Sequence, residues 1–212
     1  LPWPDPPVDA PPVLDRFLPS VWKLENVNWW PQFAYSAQQA GAMFERQGQT
    51  RPDGVIALTE DALARLLAVL GPVPVPGYAE PVTSDGFAQR VLYEVELKRP
   101  HDTPRKKFLV ELSKVVLDRI FTLPAEDLPA VARAINASAS AGDVQVWFAD
   151  ATRQGAVANT TWAGGLPTTG NVAALVEANL SASKANAYVE REVTYSLRRN
   201  DSGQAVAHLQ AT

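Results

Sequence analysis

Apolar residues recur at helical spacing through much of the middle of the chain. In "TEDALARLLAVLG", Leu63, Leu66, Leu67 and Leu70 form one stripe. Thr59 is placed to cap that helix, Glu60 and Asp61 suit its first turn, and Gly71 and Pro72 stop it. The run before it, "DGVIALT", predicts a buried strand over Asp53–Thr59. Further stripes predict a helix from Ser36 to Gln47, one capped by Thr83 or Ser84 with Phe87, Val91, Leu92 and Val95 inward, one carrying Phe108, Leu112, Val115, Val116 and Ile120, and one from Pro124 with Leu128, Val131 and Ile135. A short helix over Val13–Leu24 is broken by Pro19.

The last third switches to a period of two. "DVQVWFAD" alternates Val144, Val146 and Phe148, and Asn171–Asn179 reads as a strand. "AYVEREVTYSL" places Val189, Arg191, Val193, Tyr195 and Leu197 on one face. The turn Asn200–Gly203 sends "QAVAHLQAT" back as its partner. Arg191 on a mainly apolar face is expected to pair with a carboxylate. The pattern predicts an α/β fold of mixed α+β type. Its mixed β-sheet is flanked by helices on both faces, and the chain ends in a C-terminal β-hairpin. Residues 1–22 form a proline-rich lead-in, 23–199 the α/β domain, and 200–212 the terminal hairpin strand, read as the start of a truncated or further region.

Composition narrows the chemistry. Of 212 residues, 46% are hydrophobic and the net charge is −4. That balance gives no electrostatic footprint for nucleic acid. Cysteine is absent and there are two histidines, His101 and His208, so neither a thiolate nucleophile nor a zinc site is expected. No metal and no cofactor is expected. "AGGLPTTG" lacks the Lys-Ser/Thr of a phosphate-binding loop and reads as a connection. No apolar run is long enough to span a bilayer. Any membrane attachment is expected through a segment absent here.

Two stretches are candidate ligand sites. "KRPHDTPRKKF" ends in Arg105, Lys106 and Lys107 at the start of a helix, where backbone donors already favour anions. "NVNWWPQFAYSAQQA" places Asn28, Trp29 and Trp30 in a loop ahead of a helix, where amphipathic aromatics suit an apolar ligand. Alternation there predicts one tryptophan inward and one outward. Glu94, Glu96, Glu177, Glu190 and Glu192 are carboxylates on or near these elements, with no spacing that fixes a catalytic pair. No catalytic residue is assigned.

The pieces "NVNWWPQFAYSAQQA", "PDGVIALTEDALARLLAVLGPVPVPGY", "KKFLVELSKVVLDRI", "TTWAGGLP" and "EANLSASKANAYVEREVTYSL" resemble the bacterial domain-of-unknown-function family 4012, from about Lys23 to Leu197. The resemblance implies an outward-facing cell-envelope location behind a membrane anchor, and no activity. More distantly, the order of the Asn-rich loop, helix, "DGVIAL" strand, helix and "GPVPV" resembles the LytR-CpsA-Psr phosphotransferases, which move glycopolymers from polyprenyl pyrophosphate carriers. The arginines and aspartates with which those enzymes hold pyrophosphate and magnesium have no counterpart here, so binding or structural roles rank above catalysis. The partners implied are a polyprenyl phosphate or cell-wall glycan. The alternative is a self-assembling surface or filament subunit, a homo-oligomer or a chain completed by a missing part of the same polypeptide.

Overall fold

A computed structural model describes residues 10–17, 22–97, 107–166, 169, 172–176, 189–200 and 202–212. Among these, the helices are α1 (Pro12–Phe17), α2 (Phe33–Arg46), α3 (Glu60–Leu70), α4 (Phe87–Leu92), α5 (Lys107–Phe121), α6 (Leu128–Ser140) and α7 (Ala151–Val157). The strands are β1 (Gly54–Leu58), β2 (Val144–Phe148), β3 (Val193–Arg199) and β4 (Ala205–Ala211). The fold is mixed α+β and closes with a C-terminal β-hairpin, as the periodicity predicts. Its strands form two antiparallel pairs, β1 with β2 and β3 with β4.

The largest core is helical. Leu66, Leu67 and Leu70 of α3 pack with Phe87 and Val91 of α4, Phe108, Leu112 and Val116 of α5, and Val131 of α6. A strap closes it, where Val73 and Val82 exchange backbone hydrogen bonds of 2.8 and 2.7 Å. The local signals at α3 act as expected. The Thr59 hydroxyl accepts from Ala62 N–H at 3.3 Å. Gly71, at φ 72°, returns its N–H to Leu67 O at 2.9 Å. That positive φ is what glycine supplies at the end of a helix.

The β1–β2 pair has helices on both faces. On one side Phe33 and Ala37 of α2 meet Trp147, Val55 and Ala57. On the other, Ala62 of α3 and Ala139 of α6 meet Val144, Val146 and Phe148, with Trp162 behind them. β1 itself corrects the expectation of a buried strand. Ile56 is 66% and Leu58 50% exposed, while their partners Val146 and Val144 are buried. On this face α3 and α6 cover β2 and leave β1 open, so an apolar run does not secure burial.

Other boundaries move for local reasons. α4 starts after Gly86, which is left-handed at φ 68°, rather than at Thr83 or Ser84. It runs on into a π-helical turn over Tyr93–Leu97. Residues 172–176 carry no regular structure, and 177–179 of the expected strand lie outside the described residues. In the hairpin, Asn200 N–H donates to Gln204 O at 2.9 Å and the Asn200 side chain accepts from Gln204 N–H at 2.8 Å.

Candidate aromatic site on helix α2

The segment between Trp22 and Gln32 is a series of turns that folds onto α2. A 3-10 turn over Leu24–Asn26 comes first, and Asn28–Gln32 bends into the helix. Trp30 stands edge-on between two other rings. Its centroid lies 5.4 Å from Trp22 at 86° and 4.5 Å from Tyr35 at 90°. Perpendicular pairs place a ring's positive edge on its neighbour's negative face, worth about 0.5–1.5 kcal/mol each beyond burial. Trp22, Trp30 and Tyr35 are all half-buried, and Asn28 beside them is exposed.

The expected in-and-out alternation of the two tryptophans does not occur. Trp29 and Trp30 are both half-buried. Alternation belongs to strands, and this segment is a turn.

Side chains fix the turn from both directions. Ser36 Oγ donates to Trp30 O at 3.1 Å. Gln32 grips residue 166 twice, accepting from Leu166 N–H at 3.2 Å and donating to Leu166 O at 3.4 Å. Phe33 N–H donates to Gly164 O at 3.2 Å. Ala163–Leu166, the described start of the expected connection "AGGLPTTG", abuts the aromatic turn. Gly164 sits at φ 57°, and a Cβ there would lie 2.8 Å from the Cβ of Phe33 and 2.5 Å from Cδ of Gln145. Glycine at this point lets the two loops approach.

Beneath the aromatics, α2 presents Tyr35, Ser36, Gln39 and Met43 on one face. Ser36, Gln39 and Met43 are buried there. Gln39 is fully buried, and neither atom of its amide has a hydrogen-bond partner among the described residues. Trp22 Nε1 is likewise buried and unpaired. Sequence reasoning missed both Trp22 and Gln39. The available signal for Gln39 was a long polar side chain in phase with Ser36 and Met43, on a face that the helical period assigns to the interior.

The other predicted site residues separate from this cluster. Arg105 and Lys106 lie outside the described residues, and Lys107 is exposed at the first position of α5. Glu177 and the side chain of Glu96 also lie outside the described residues. Glu190 and Glu192 are exposed. Glu94 is buried in the π-helical turn and pairs with Arg90 at 3.0 Å, and Arg90 also reaches Glu80 at 3.2 Å. Arg191 precedes β3, is exposed, and donates to Val189 O at 3.1 Å. Among the described residues, no three His, Cys, Asp or Glu side chains gather as metal ligands.

One charged network joins the two cores. Asp143, at the start of β2, accepts from the Arg65 guanidinium and from the Thr59 hydroxyl, the latter at 3.0 Å. Arg65 also reaches Ser138 Oγ at 3.4 Å. The Arg65 and Thr59 hydrogen bonds hold the Asp143 carboxyl below its ordinary value of 3.8.

Residues 7–95 match the model of DUF4012, a protein family of unknown function. The matched stretch holds α1, the aromatic turn, α2, β1, α3, the strap and α4, which is less than half of the chain. Of the expected span Lys23–Leu197, the part after Val95 lies beyond it. No curated protein and no solved structure matches the chain. Among the described residues, no helix is long and apolar enough to cross a membrane.

Proposed function

We propose that this chain is an outward-facing cell-envelope domain that binds a glycan or a phosphorylated polyprenyl carrier at the Trp22–Trp30–Tyr35 cluster and acts by binding rather than by chemistry. The observation that carries this reading is the cluster itself. Trp30 stands perpendicular to both Trp22 and Tyr35, the three amphipathic rings half-exposed in a turn tied down by Ser36 and Gln32. Rigid aromatics in a fixed turn give contact area at small entropic cost. The ligand class rests on what the distant sequence resemblance to the LytR-CpsA-Psr phosphotransferases implies. The outward location rests on what the family resemblance implies.

The test is tryptophan fluorescence, titrating vesicles that carry polyprenyl phosphate and, separately, soluble cell-wall glycan fragments. Binding should shift the emission, and Trp30→Ala should weaken it by about tenfold, the loss expected when one aromatic contact of roughly 1–1.5 kcal/mol with the ligand is removed. Unchanged emission with both ligands at millimolar concentration would overturn the reading.

A second reading, self-assembly through the terminal hairpin, has its own support. Every side chain of β3 and β4 except Ser196 is exposed. Tyr195, Leu197, Ala207 and Leu209 line one face, over a groove of about 350 Å³ shared with Val172 and Ala173. A lone two-stranded hairpin is marginal in water. Its face is small, however: seven-residue strands present roughly 200 Å², against about 800 Å² per partner in a standard interface. Assembly would therefore proceed by adding strands at the free edges, where backbone hydrogen bonds supply what the face lacks.

A further inference from the structure

Four polar or charged side chains are buried among the described residues: Ser36, Gln39, Glu94 and Ser138. Three have partners. Ser36 bonds Trp30 O, Ser138 accepts from Arg65, and Glu94 pairs with Arg90. Gln39 is the exception, fully buried with both amide atoms unpaired. A buried amide left without partners is costly, and a group of this kind calls for a specific explanation.

Its position supplies one. Gln39 lies one turn after Tyr35 and shares its helix face. Helical side chains lean toward the N-terminus, so the Gln39 side chain is directed back along this face, toward the turn that carries Tyr35. On the far side of Trp30 stands Trp22, whose Nε1 is also buried and unpaired. The turn above them is tied to α2 by Ser36 Oγ on Trp30 O and to residue 166 by the Gln32 amide.

We infer that Gln39 and Trp22 form the polar floor of the aromatic site, and that what they read is a neutral, hydroxylated sugar ring rather than a phosphate. This rests on the binding role proposed above and names the part of the ligand that the site recognises. The unpaired groups are two donors and an acceptor without charge: the indole N–H, the amide NH₂ and the amide oxygen. Hydroxyls, which donate and accept, satisfy all three. A phosphate only accepts, and would leave the Gln39 oxygen unpaired in a drier site. The rings offer flat apolar surface to the C–H face of a sugar.

The experiment compares the full chain with Gln39→Met, an unbranched replacement of similar volume, using chitotetraose and vesicles carrying polyprenyl phosphate as probes. Removing an unsatisfied amide should raise the melting temperature of the ligand-free protein by roughly 2–8 °C. The same change should weaken chitotetraose binding about tenfold or more. This opposition separates a ligand-reading group from a structural one, whose removal lowers both. A lower melting temperature for the variant overturns the inference, as does full retention of sugar binding. Binding of polyprenyl phosphate vesicles without chitotetraose binding overturns it too, while leaving the proposed function standing. Absence of binding to either probe removes both.

Discussion

Leu67→Ala is the sharpest test of the core. Leu67 is 1% exposed and lies among Leu66, Leu70, Val73, Phe108 and Leu112 in the helical core. The substitution removes three carbons. At about 0.8 kcal/mol per buried methylene the transfer contribution is roughly 2.4 kcal/mol. A cavity of up to ~80 Å³ at about 24 cal/mol per Å³ adds as much as roughly 2 kcal/mol where the walls cannot relax. They are poorly placed to relax here, because the strap Val73–Val82 and three further helices converge on the site. The expected loss is therefore about 2.5–4.5 kcal/mol. In urea, with a slope of about 2 kcal/mol per molar, the midpoint should fall by roughly 1–2 M. Leu117→Ala on α5 is the matched control, being 52% exposed. It should move the midpoint by no more than about 0.3 M. Equal midpoints for parent and Leu67→Ala would show that α3 does not pack as described.

Acid should weaken the fold through Asp143. Its folded pKa lies below the ordinary 3.8, so the stability it adds is present above that value and is lost as pH falls through the folded pKa. Asp143→Asn should lower the melting temperature at neutral pH and flatten the acid limb of the pH–stability curve, and an unchanged acid limb would remove Asp143 from the account. The hairpin is tested by sedimentation. If its edges recruit neighbouring chains, the protein should associate with increasing concentration and Tyr195→Lys with Leu197→Lys should abolish the association. A monomer at all concentrations, with the hairpin amides fully protected from hydrogen exchange, would eliminate the assembly reading.

What the sequence made legible was what local chemistry decides. The α3 unit is specified within a few residues, by the Thr59 cap, the leucine stripe and the Gly71–Pro72 stop. The period-two run at Val144–Phe148 and the Asn200–Gly203 turn are equally local. β1 was misjudged because apolar content does not say how far neighbouring helices extend over a sheet, and here they leave Ile56 and Leu58 exposed. The start of α4 was misplaced because Thr83 and Ser84 have the chemistry of caps, while the backbone turns at Gly86. At the aromatic site, Trp30 was visible as an unusual loop residue. Its partners were not, since Trp22 reaches it from the far side of a 3-10 turn and Tyr35 from the helix beyond. Gln39 was hidden more deeply: a glutamine inside a helix is ordinary, and the loss of both its hydrogen bonds depends on what folds over it.

The placement of the site follows from how unevenly the core is distributed. The helical core gathers a dozen buried side chains from four helices and the strap. The layer between α2 and the β1–β2 sheet rests on three, Phe33, Ala37 and Trp147. Local opening follows the density of buried apolar contacts, and the α2 layer has fewer of them than the helical core. The Thr59–Asp143–Arg65 network stands between the two, at the junction of β1, α3, α6 and β2. It fixes the sheet to the helical core without drawing α2 into it. An unpaired amide beneath the aromatic turn has a consequence beyond its cost: it raises the free energy of the empty state, and so favours the ligand that satisfies it.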